Sequence, residues 1–212
     1  MNKNETAILL IEFQNDFTSK GGIFHDAVKS VVQETNMIEN TISLVKEARS
    51  QGVEVIHIPI SFTENYNELT RSPYGILKGI VDNNAFQKTS WGVEFIEDLK
   101  PQKGEVVIEG KRGLCAFHST NLGFILRSKG IKNVAIGGFL TNCCVESTMR
   151  TAYENGYNVI TLKDCCASLS SEEHHNAINN DFPMFSQPMT SHDFMKVVEG
   201  KDSLVLEGKG YE

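Results

Sequence analysis

The segment between residues 133 and 155 constrains the fold more than any other part of this chain, because it combines an apolar run, two glycines and a helical pattern. The run Val134-Ala135-Ile136 has no polar residue, which is typical of a parallel strand covered on both faces. Gly137 and Gly138 then allow a sharp turn. Apolar side chains follow at spacings of three and four, which predicts a helix: Val145, Met149, Ala152 and Tyr153.

Two cysteines, Cys143 and Cys144, lie in the first turn of this predicted helix, with Thr141 or Asn142 as its expected N-cap. Unpaired backbone N–H groups and the positive end of the helix dipole favour a thiolate there. A cysteine at this position can therefore act as a nucleophile. Free cysteines are also common as small apolar core residues, so the pair alone does not separate chemistry from packing.

The same alternation of strand and helix recurs along the chain. Apolar runs predict strands at residues 6–12, 53–60, 105–109, 131–138 and 157–162, and helical patterns cover 30–51, 93–99, 124–129, 143–155 and about 171–179, with a further short strand and helix in 182–206. This pattern predicts an α/β fold, a three-layer αβα sandwich around a mostly parallel, Rossmann-like sheet of about six strands. We expect one domain over residues 1–212. His174 and His175 are expected to be solvated on their helix.

Composition argues against several kinds of partner. The net charge is −7 and there is no basic stripe, so we expect neither nucleic acid nor a membrane surface as partner. The first apolar run, residues 7–11, is too short for a membrane span or a signal peptide. Five cysteines without a CxxC pair indicate reduced thiols in a cytoplasm. The cysteine pairs 143–144 and 165–166 make a poor zinc site, because adjacent side chains point in different directions.

Two more reactive groups follow predicted strands. Glu12 and Asp16 come after the first strand, and Lys111 comes after the third. Because the carboxyl ends of parallel strands meet at one edge of a sheet, Glu12, Lys111 and Cys144 are expected to lie together. An ammonium group stabilises a thiolate and a carboxylate relays protons. Such a site suits nucleophilic attack on a carbonyl group and hydrolysis of a C–N bond.

A long stretch without periodicity, residues 61–92, follows the second strand. Such loops in compact domains are usually functional or form interfaces. We expect aromatic side chains from this loop and its neighbours to line a substrate pocket, although simple packing explains them equally well: Phe17, Phe62, Trp91 and Phe117.

Three segments together, residues 7–17, 109–122 and 138–153, resemble the isochorismatase-like cysteine hydrolases. The resemblance runs through nearly the whole chain in the same order. That family has an acid after the first strand, a lysine after the third, and a cysteine in a Thr-x-x-Cys-Val motif. The resemblance selects Cys144 over Cys143, because Cys144 follows Thr141 by three positions and precedes Val145.

The same resemblance assigns the other two members of a catalytic triad. It selects Lys111, which precedes a segment similar to the family's small-Ala-Phe run, Cys115-Ala116-Phe117. It aligns the family acid with Glu12 and not with Asp16. Here the sequence departs from the family, where aspartate is usual. Glutamate keeps the carboxylate and adds one methylene, so base chemistry is expected to survive in an adjusted pocket.

Further expectations follow from the resemblance alone. It implies a cis peptide bond between Phe139 and Leu140, and an oxyanion hole formed by the backbone N–H groups of Leu140 and Cys144. It also implies a small-molecule substrate and a homo-oligomer, a dimer or tetramer, with the 61–92 loop or the C-terminal segment at the interface. Nicotinamidases of the family carry an Asp-x-His metal motif after the second strand, whereas this chain has a lone His57. We therefore expect no metal and no cofactor.

Three alternatives to hydrolysis of an open-chain amide or ureide stay open. One is hydrolysis of an isochorismate-like ether or a lactam, although siderophore-pathway isochorismatases characteristically lack the nucleophilic cysteine. Another is a non-catalytic ligand-binding member, suggested by Glu12 in place of aspartate. The last is a thiol-redox role, against which the missing CxxC pair argues.

Overall fold

Six strands hydrogen-bond in parallel in the computed structural model of the protein, which describes residues 1–200. Their spatial order is β3-β2-β1-β4-β5-β6, the doubly wound order of Rossmann-like sheets. The predicted α/β fold and sheet are confirmed. In chain order the strands are β1 (Thr6–Ile11), β2 (Glu54–Ile58), β3 (Val106–Val107), β4 (Asn133–Phe139), β5 (Asn158–Ala167) and β6 (Gln187–Met189).

Eight α-helices connect and cover the strands within the described residues. They are α1 (Asn15–Thr18), α2 (His25–Thr35), α3 (Met37–Gln51), α4 (Gly75–Asp82), α5 (Leu122–Ser128), α6 (Glu146–Glu154), α7 (Ser171–Asn176) and α8 (Ser191–Val198). Short 3-10 turns occupy Lys3–Glu5, Trp91–Val93, Glu97–Leu99 and Phe182–Met184, and π-type turns occupy Thr141–Val145 and Ala177–Asp181. None of the helices in residues 1–200 has the length and apolar character needed to cross a bilayer.

Strand β1 is buried along its whole length and separates two apolar layers. Its even-numbered side chains, Ile8 and Leu10, pack with helices α2, α3 and α8. Its odd-numbered side chains, Ala7, Leu9 and Ile11, pack with α5 and α6 on the other face. Because both faces are covered, the strand reads as a continuous apolar run and not as an alternating one.

Several predicted elements differ in their limits. The helical pattern of residues 30–51 belongs to two helices, because Asn36 adopts a left-handed conformation with φ 54° and ends α2 before α3 begins. The predicted strand 105–109 keeps only two strand residues at the edge of the sheet. The 61–92 loop contains the helix α4. The short strand and helix predicted in 182–206 are confirmed as β6 and α8, while residues 201–206 lie outside the described residues.

Candidate active site

The centre of the sheet is where the strand order reverses, between β1 and β4. Open α/β sheets bind ligands at the carboxyl ends of the strands at such a point. Glu12 directly follows β1 there, with a left-handed backbone (φ 61°) and its N–H hydrogen-bonded to the carbonyl of Ile58 at 3.0 Å. Left-handed backbone is uncommon outside glycine and costs about 1–3 kcal/mol, so packing must enforce it.

Close approach of β1 and β4 at this end depends on Gly138. It pairs with Ile11, has φ 141°, and a Cβ on it would lie 2.1 Å from the Ile11 carbonyl oxygen. No residue with a side chain fits there. The turn expected at Gly137 and Gly138 is therefore wrong, because both glycines lie within β4, where Gly138 lets the ends of the two central strands approach each other.

Lys111 reaches the site from the segment after β3. Its Nζ donates hydrogen bonds to Oε1 of Glu12 and, at 2.8 Å, to the carbonyl of Gly113. The Lys111 side chain is 0% exposed and the Glu12 side chain is 3% exposed, so the two form a buried ion pair. Burial lowers the pKa of Lys111, but the negative charge of Glu12 and the hydrogen bond to it more than offset burial and raise the pKa above its ordinary value. The ammonium therefore stays charged.

Cys144 lies in a π-type turn that precedes α6, not inside the helix itself. The peptide bond between Phe139 and Leu140 is cis, as the family resemblance implied. The Leu140 carbonyl accepts hydrogen bonds from the N–H groups of Cys143, at 3.1 Å, and Val145, at 3.2 Å. These bonds fold the chain tightly around the cysteine.

The expected N-cap is wrong. Leu140 occupies the cap position and makes no side-chain capping bond. The hydroxyl of Thr141 is instead hydrogen-bonded to Nδ1 of His174 at 2.8 Å, and the Asn142 side-chain oxygen accepts a hydrogen bond from Ser168. Both partners lie after β5, so tertiary contacts replace the local cap.

The thiol of Cys144 is 5% exposed and its pKa lies well above the ordinary value. The hydrogen bond with Cys143, burial, and the negative charge of Glu12 raise this pKa, and the Lys111 ammonium opposes them. The same hydrogen bond lowers the pKa of Cys143. The expectation that the helix N-terminus favours a thiolate was made for both cysteines; the direction of the pKa shift agrees with it at Cys143 and contradicts it at Cys144.

His174 was expected in solvent, and this prediction is wrong. It is 3% exposed, because α7 packs against the turn that carries Cys144. Burial and the neighbouring His175 lower its pKa, and Glu34 opposes them. His175 is exposed, as predicted. The sequence held a signal for this burial, since Ala177 and Ile178 follow His174 at spacings of three and four and are also buried.

The four aromatic residues predicted to line the pocket are in different environments. Phe17 stacks on Phe139 with ring centroids 4.8 Å apart, and Phe62 packs on Tyr66, so both are part of the core. Trp91 is 50% exposed and Phe117 is partly buried. A cavity of about 540 Å³ opens beside the residues that flank Lys111 in the sequence, and none of the four aromatic residues lines it. The walls of this cavity are formed by Pro59, Ser61, Lys88, Val107, Ile108, Glu109, Gly110 and Arg112.

Asp16, the acid that the resemblance passed over, has a structural position. It is 3% exposed and accepts hydrogen bonds from the N–H groups of Phe86, at 2.7 Å, and Ile23, at 3.2 Å. A Cβ on Gly92 would lie 2.2 Å from its carboxylate. Asp16 thus ties the backbone at Phe86 and Ile23 to α1 and packs against Gly92.

His57 does not face a metal-binding group of residues. Its Nε2 lies 2.9 Å from Oε2 of Glu105, which also accepts hydrogen bonds from Arg49, and its Nδ1 is buried without a hydrogen-bond partner. In the part of the chain that the structure describes, no three His, Cys, Asp or Glu side chains are placed to hold a metal ion. His57 therefore packs β2 against the segment before β3.

Comparison with known proteins places this geometry in a family. A model of the isochorismatase domain matches residues 6–193. The ureidoacrylate amidohydrolase RutB of Acinetobacter baylyi is 31% identical over 82% of this chain and 75% of that protein. A cysteine hydrolase from Pseudomonas syringae superposes with a TM-score of 0.82 at 24% identity, over 95% of this chain and 96% of the other. An isochorismatase-like hydrolase from Alkaliphilus metalliredigens gives a TM-score of 0.75 at 27% identity, over 93% and 98%. The chain belongs to the isochorismatase-like cysteine hydrolase family.

Proposed function

We propose that this protein is an amidohydrolase that cleaves a C–N bond of a small amide or ureide through a thioester on Cys144. One observation carries the proposal: Glu12 and Lys111 form a buried ion pair near the Cys144 thiol. Both groups lie close enough to the thiol to affect its pKa. The site lies at the carboxyl ends of the central strands, where such folds bind ligands.

The first half of the reaction begins with a thiol and not a thiolate. Glu12 accepts the proton of Cys144 as the sulfur attacks the substrate carbonyl carbon, and the tetrahedral intermediate carries the charge on oxygen. The backbone N–H groups of Leu140 and Cys144 are the proposed donors to that oxygen. The C–N bond then breaks, and the leaving nitrogen takes the proton from Glu12. Ammonia or an amine leaves, and an acyl thioester remains.

The second half hydrolyses the thioester. Water enters, Glu12 accepts one of its protons, and the oxygen attacks the thioester carbonyl. The carbon–sulfur bond breaks and the sulfur recovers the proton, so the enzyme returns to its starting state. Lys111 keeps its charge throughout, since the neighbouring negative groups raise its pKa. It orients the Glu12 carboxylate by the hydrogen bond between them.

The amidohydrolase relatives support the choice of bond, because RutB is named for hydrolysis of ureidoacrylate. A ureide offers a carbonyl carbon bonded to nitrogen, which the mechanism above requires. We propose Trp91 and Phe117 as substrate contacts in a pocket separate from the cavity of about 540 Å³, since both are partly accessible. We propose that Phe17 and Phe62 support the pocket from the core.

A direct test measures ammonia release from ureidoacrylate, simple ureides and small amides by the purified protein. We expect turnover of at least one of them, and a Cys144 acyl adduct in mass spectra of a rapidly quenched reaction. Replacement of Cys144 by Ala should abolish both signals, while Cys143→Ala retains most of the turnover. Equal turnover by Cys144→Ala would reject the proposal.

The same assay separates the alternatives. An enzyme that cleaves an ether would release products from an isochorismate-like vinyl ether without ammonia. A non-catalytic ligand-binding member would bind a substrate without turnover, even with Glu12 replaced by Asp. The structure gives no support to the degenerate-site alternative, because the longer Glu12 side chain still reaches the Lys111 ammonium.

We further propose that the enzyme is a single-domain protein of the cytoplasm that forms a homo-oligomer. All five cysteines are free thiols, which supports a reducing compartment. The 61–92 loop exposes large apolar side chains at Tyr74, Ile76 and Trp91, which supports an interface there. Light scattering coupled to size-exclusion chromatography tests the assembly. A monomer at micromolar concentration would contradict it.

A further inference from the structure

We propose that His174 is a positioning residue for the reaction: through its hydrogen bond to Thr141 it fixes the turn that presents Cys144 to the substrate. This inference rests on the proposed function. It concerns a residue outside the Glu12, Lys111 and Cys144 triad, and it follows from contacts on the side of the nucleophile turn that faces α7.

The hydrogen bond itself is the first observation. Nδ1 of His174 lies 2.8 Å from Oγ1 of Thr141, and both side chains are buried, at 3% and 0% exposure. A buried hydroxyl and a buried ring nitrogen each lose water on folding, so separating them leaves both unsatisfied. The hydrogen bond therefore favours one arrangement of the nucleophile turn relative to α7.

The place of Thr141 in the turn is the second observation. It is the first residue after the cis peptide and begins the π-type turn that ends at Val145. The turn has no side-chain cap of its own, and Asn142 inside it departs from helical geometry with φ −85° and ψ 16°. A turn without a local cap depends on outside contacts for its position.

Two side-chain hydrogen bonds to the turn come from the segment after β5. Ser168 donates a hydrogen bond to the Asn142 side chain, and His174 holds Thr141. Asn142 is exposed, whereas Thr141 is buried, so the histidine contact is the one shielded from water. His174 in turn is fixed by its helix, whose first turn is capped by Ser170. The segment acts as a rigid support for the nucleophile.

Burial is the largest cause of the lowered pKa of His174, and the Glu34 carboxylate opposes it. His175 on the same helix lies edge-on with ring centroids 5.4 Å apart, and Glu34 of α2 lies 3.5 Å from Nε2 of His175. Burial and His175 lower the pKa of His174. A neutral ring has one N–H donor and one acceptor, and either suits a hydroxyl partner.

Variants of His174 test this role. His174→Phe keeps the ring volume and removes Nδ1, so we expect kcat on ureidoacrylate to fall about 10- to 100-fold with KM changed less than twofold. His174→Asn places an amide near the position of Nδ1 and should restore kcat to within about threefold of wild type. Glu172→Ala, at an exposed position of the same helix, is the matched control and should leave kcat unchanged.

A second variant covers the case in which His174→Phe does not fold. Thr141→Val removes the hydroxyl with little change of volume, and it should lower kcat to a similar extent. Combined with His174→Phe, it should cause no further loss, because the two residues act as one unit. Unchanged kcat in a folded His174→Phe or Thr141→Val protein overturns the proposal, as does an Asn variant no better than the Phe variant.

Alkylation of Cys144 by iodoacetamide, followed by mass spectrometry, separates this inference from the proposed function. Since Cys144 is only 5% exposed, a loosened turn should raise its alkylation rate severalfold in the His174→Phe protein. This readout needs no substrate, so it stands even if no amide is hydrolysed. An alkylation rate equal to that of wild type would overturn the positioning role independently of turnover.

Discussion

Nζ of Lys111 donates a hydrogen bond to Oε1 of Glu12, and both side chains are buried although 99 positions separate them in the sequence. Two charges held away from water are stable only while each satisfies the other. The pair therefore links the end of β1 to the segment after β3, and it holds in place the Glu12 carboxylate that we propose as the base.

Replacement of Lys111 by Met should abolish turnover and destabilise the protein. The change leaves Glu12 buried and unpaired, which typically costs about 3–5 kcal/mol. Glu12→Gln should lower kcat about 10²- to 10⁴-fold, since it removes the proton acceptor. Urea unfolding checks the first effect, and ammonia release checks the second.

The double variant Glu12→Gln with Lys111→Met provides the control. It removes both charges, so it should be more stable than Lys111→Met alone and remain inactive. If the single Lys111→Met protein were as stable as wild type, the ion pair would have no structural role. If Glu12→Gln kept full activity, another base would have to be found.

The second prediction concerns the two adjacent thiols. Because the hydrogen bond with Cys143 is the largest cause that raises the pKa of Cys144, Cys143→Ala should lower that pKa toward its ordinary value. Iodoacetamide reacts with the thiolate, so the alkylation rate of Cys144 should rise at lower pH in the variant than in wild type. Mass spectrometry of peptides, across a pH series, measures it. Superimposable pH profiles would show that the thiols are independent.

A third prediction follows from His57, whose folded-state pKa is lowered mainly by burial. The unfolded chain binds a proton near the ordinary value of 6.5, while the folded protein resists it. The contribution of neutral His57 to the free energy of unfolding is therefore fully present above pH 6.5, and it is lost as the pH falls below 6.5. Each such histidine contributes at most about 1.4 kcal/mol per pH unit.

A matched variant isolates this effect. His174 also has a lowered pKa, so wild type alone does not identify the residue responsible. Urea unfolding of wild type and His57→Gln between pH 8 and 5.5 should show a shallower loss of stability in the variant. Measurements stop at pH 5.5 because Glu105 would add a second loss of stability at lower pH. Burial raises the pKa of Glu105, but hydrogen bonds from Arg49 and other donors outweigh it and lower the pKa from 4.5 to about 2 in the folded protein. Equal slopes would contradict the assignment.

Much of the fold was predictable because its information is local. The apolar run before Gly137 has no polar residue, and a strand covered on both faces requires such a run. Strands that alternate with helices lead to a parallel sheet, and a parallel sheet brings its strand ends to one edge. The meeting of Glu12 with Lys111 follows from this rule, even though their separation in sequence is large.

What the sequence did not predict depends on tertiary contacts. The burial of His174 requires knowing that α7 packs on the nucleophile turn, and its partner Thr141 lies 33 positions away. The raised pKa of Cys144 depends on Cys143 and Glu12, whose effects exceed that of the ammonium. The break at Asn36 was hidden because apolar residues continue with the same period on both sides of it.

The final prediction tests the close approach of the two central strands. A Cβ on Gly138 would lie 2.1 Å from the Ile11 carbonyl oxygen, and φ is 141°, so Gly138→Ala requires both a backbone shift and an unfavourable conformation. We expect a loss of stability above about 4 kcal/mol, the range seen only for severe core changes. Gly79→Ala, in α4 with open space around the new Cβ, should instead stabilise by about 0.4–1 kcal/mol. Because Ile11 precedes Glu12, any folded Gly138→Ala protein should also lose turnover, measured as ammonia release. A Gly138→Ala protein with wild-type stability and activity would mean that β1 and β4 need not be this close for the base and the nucleophile to meet.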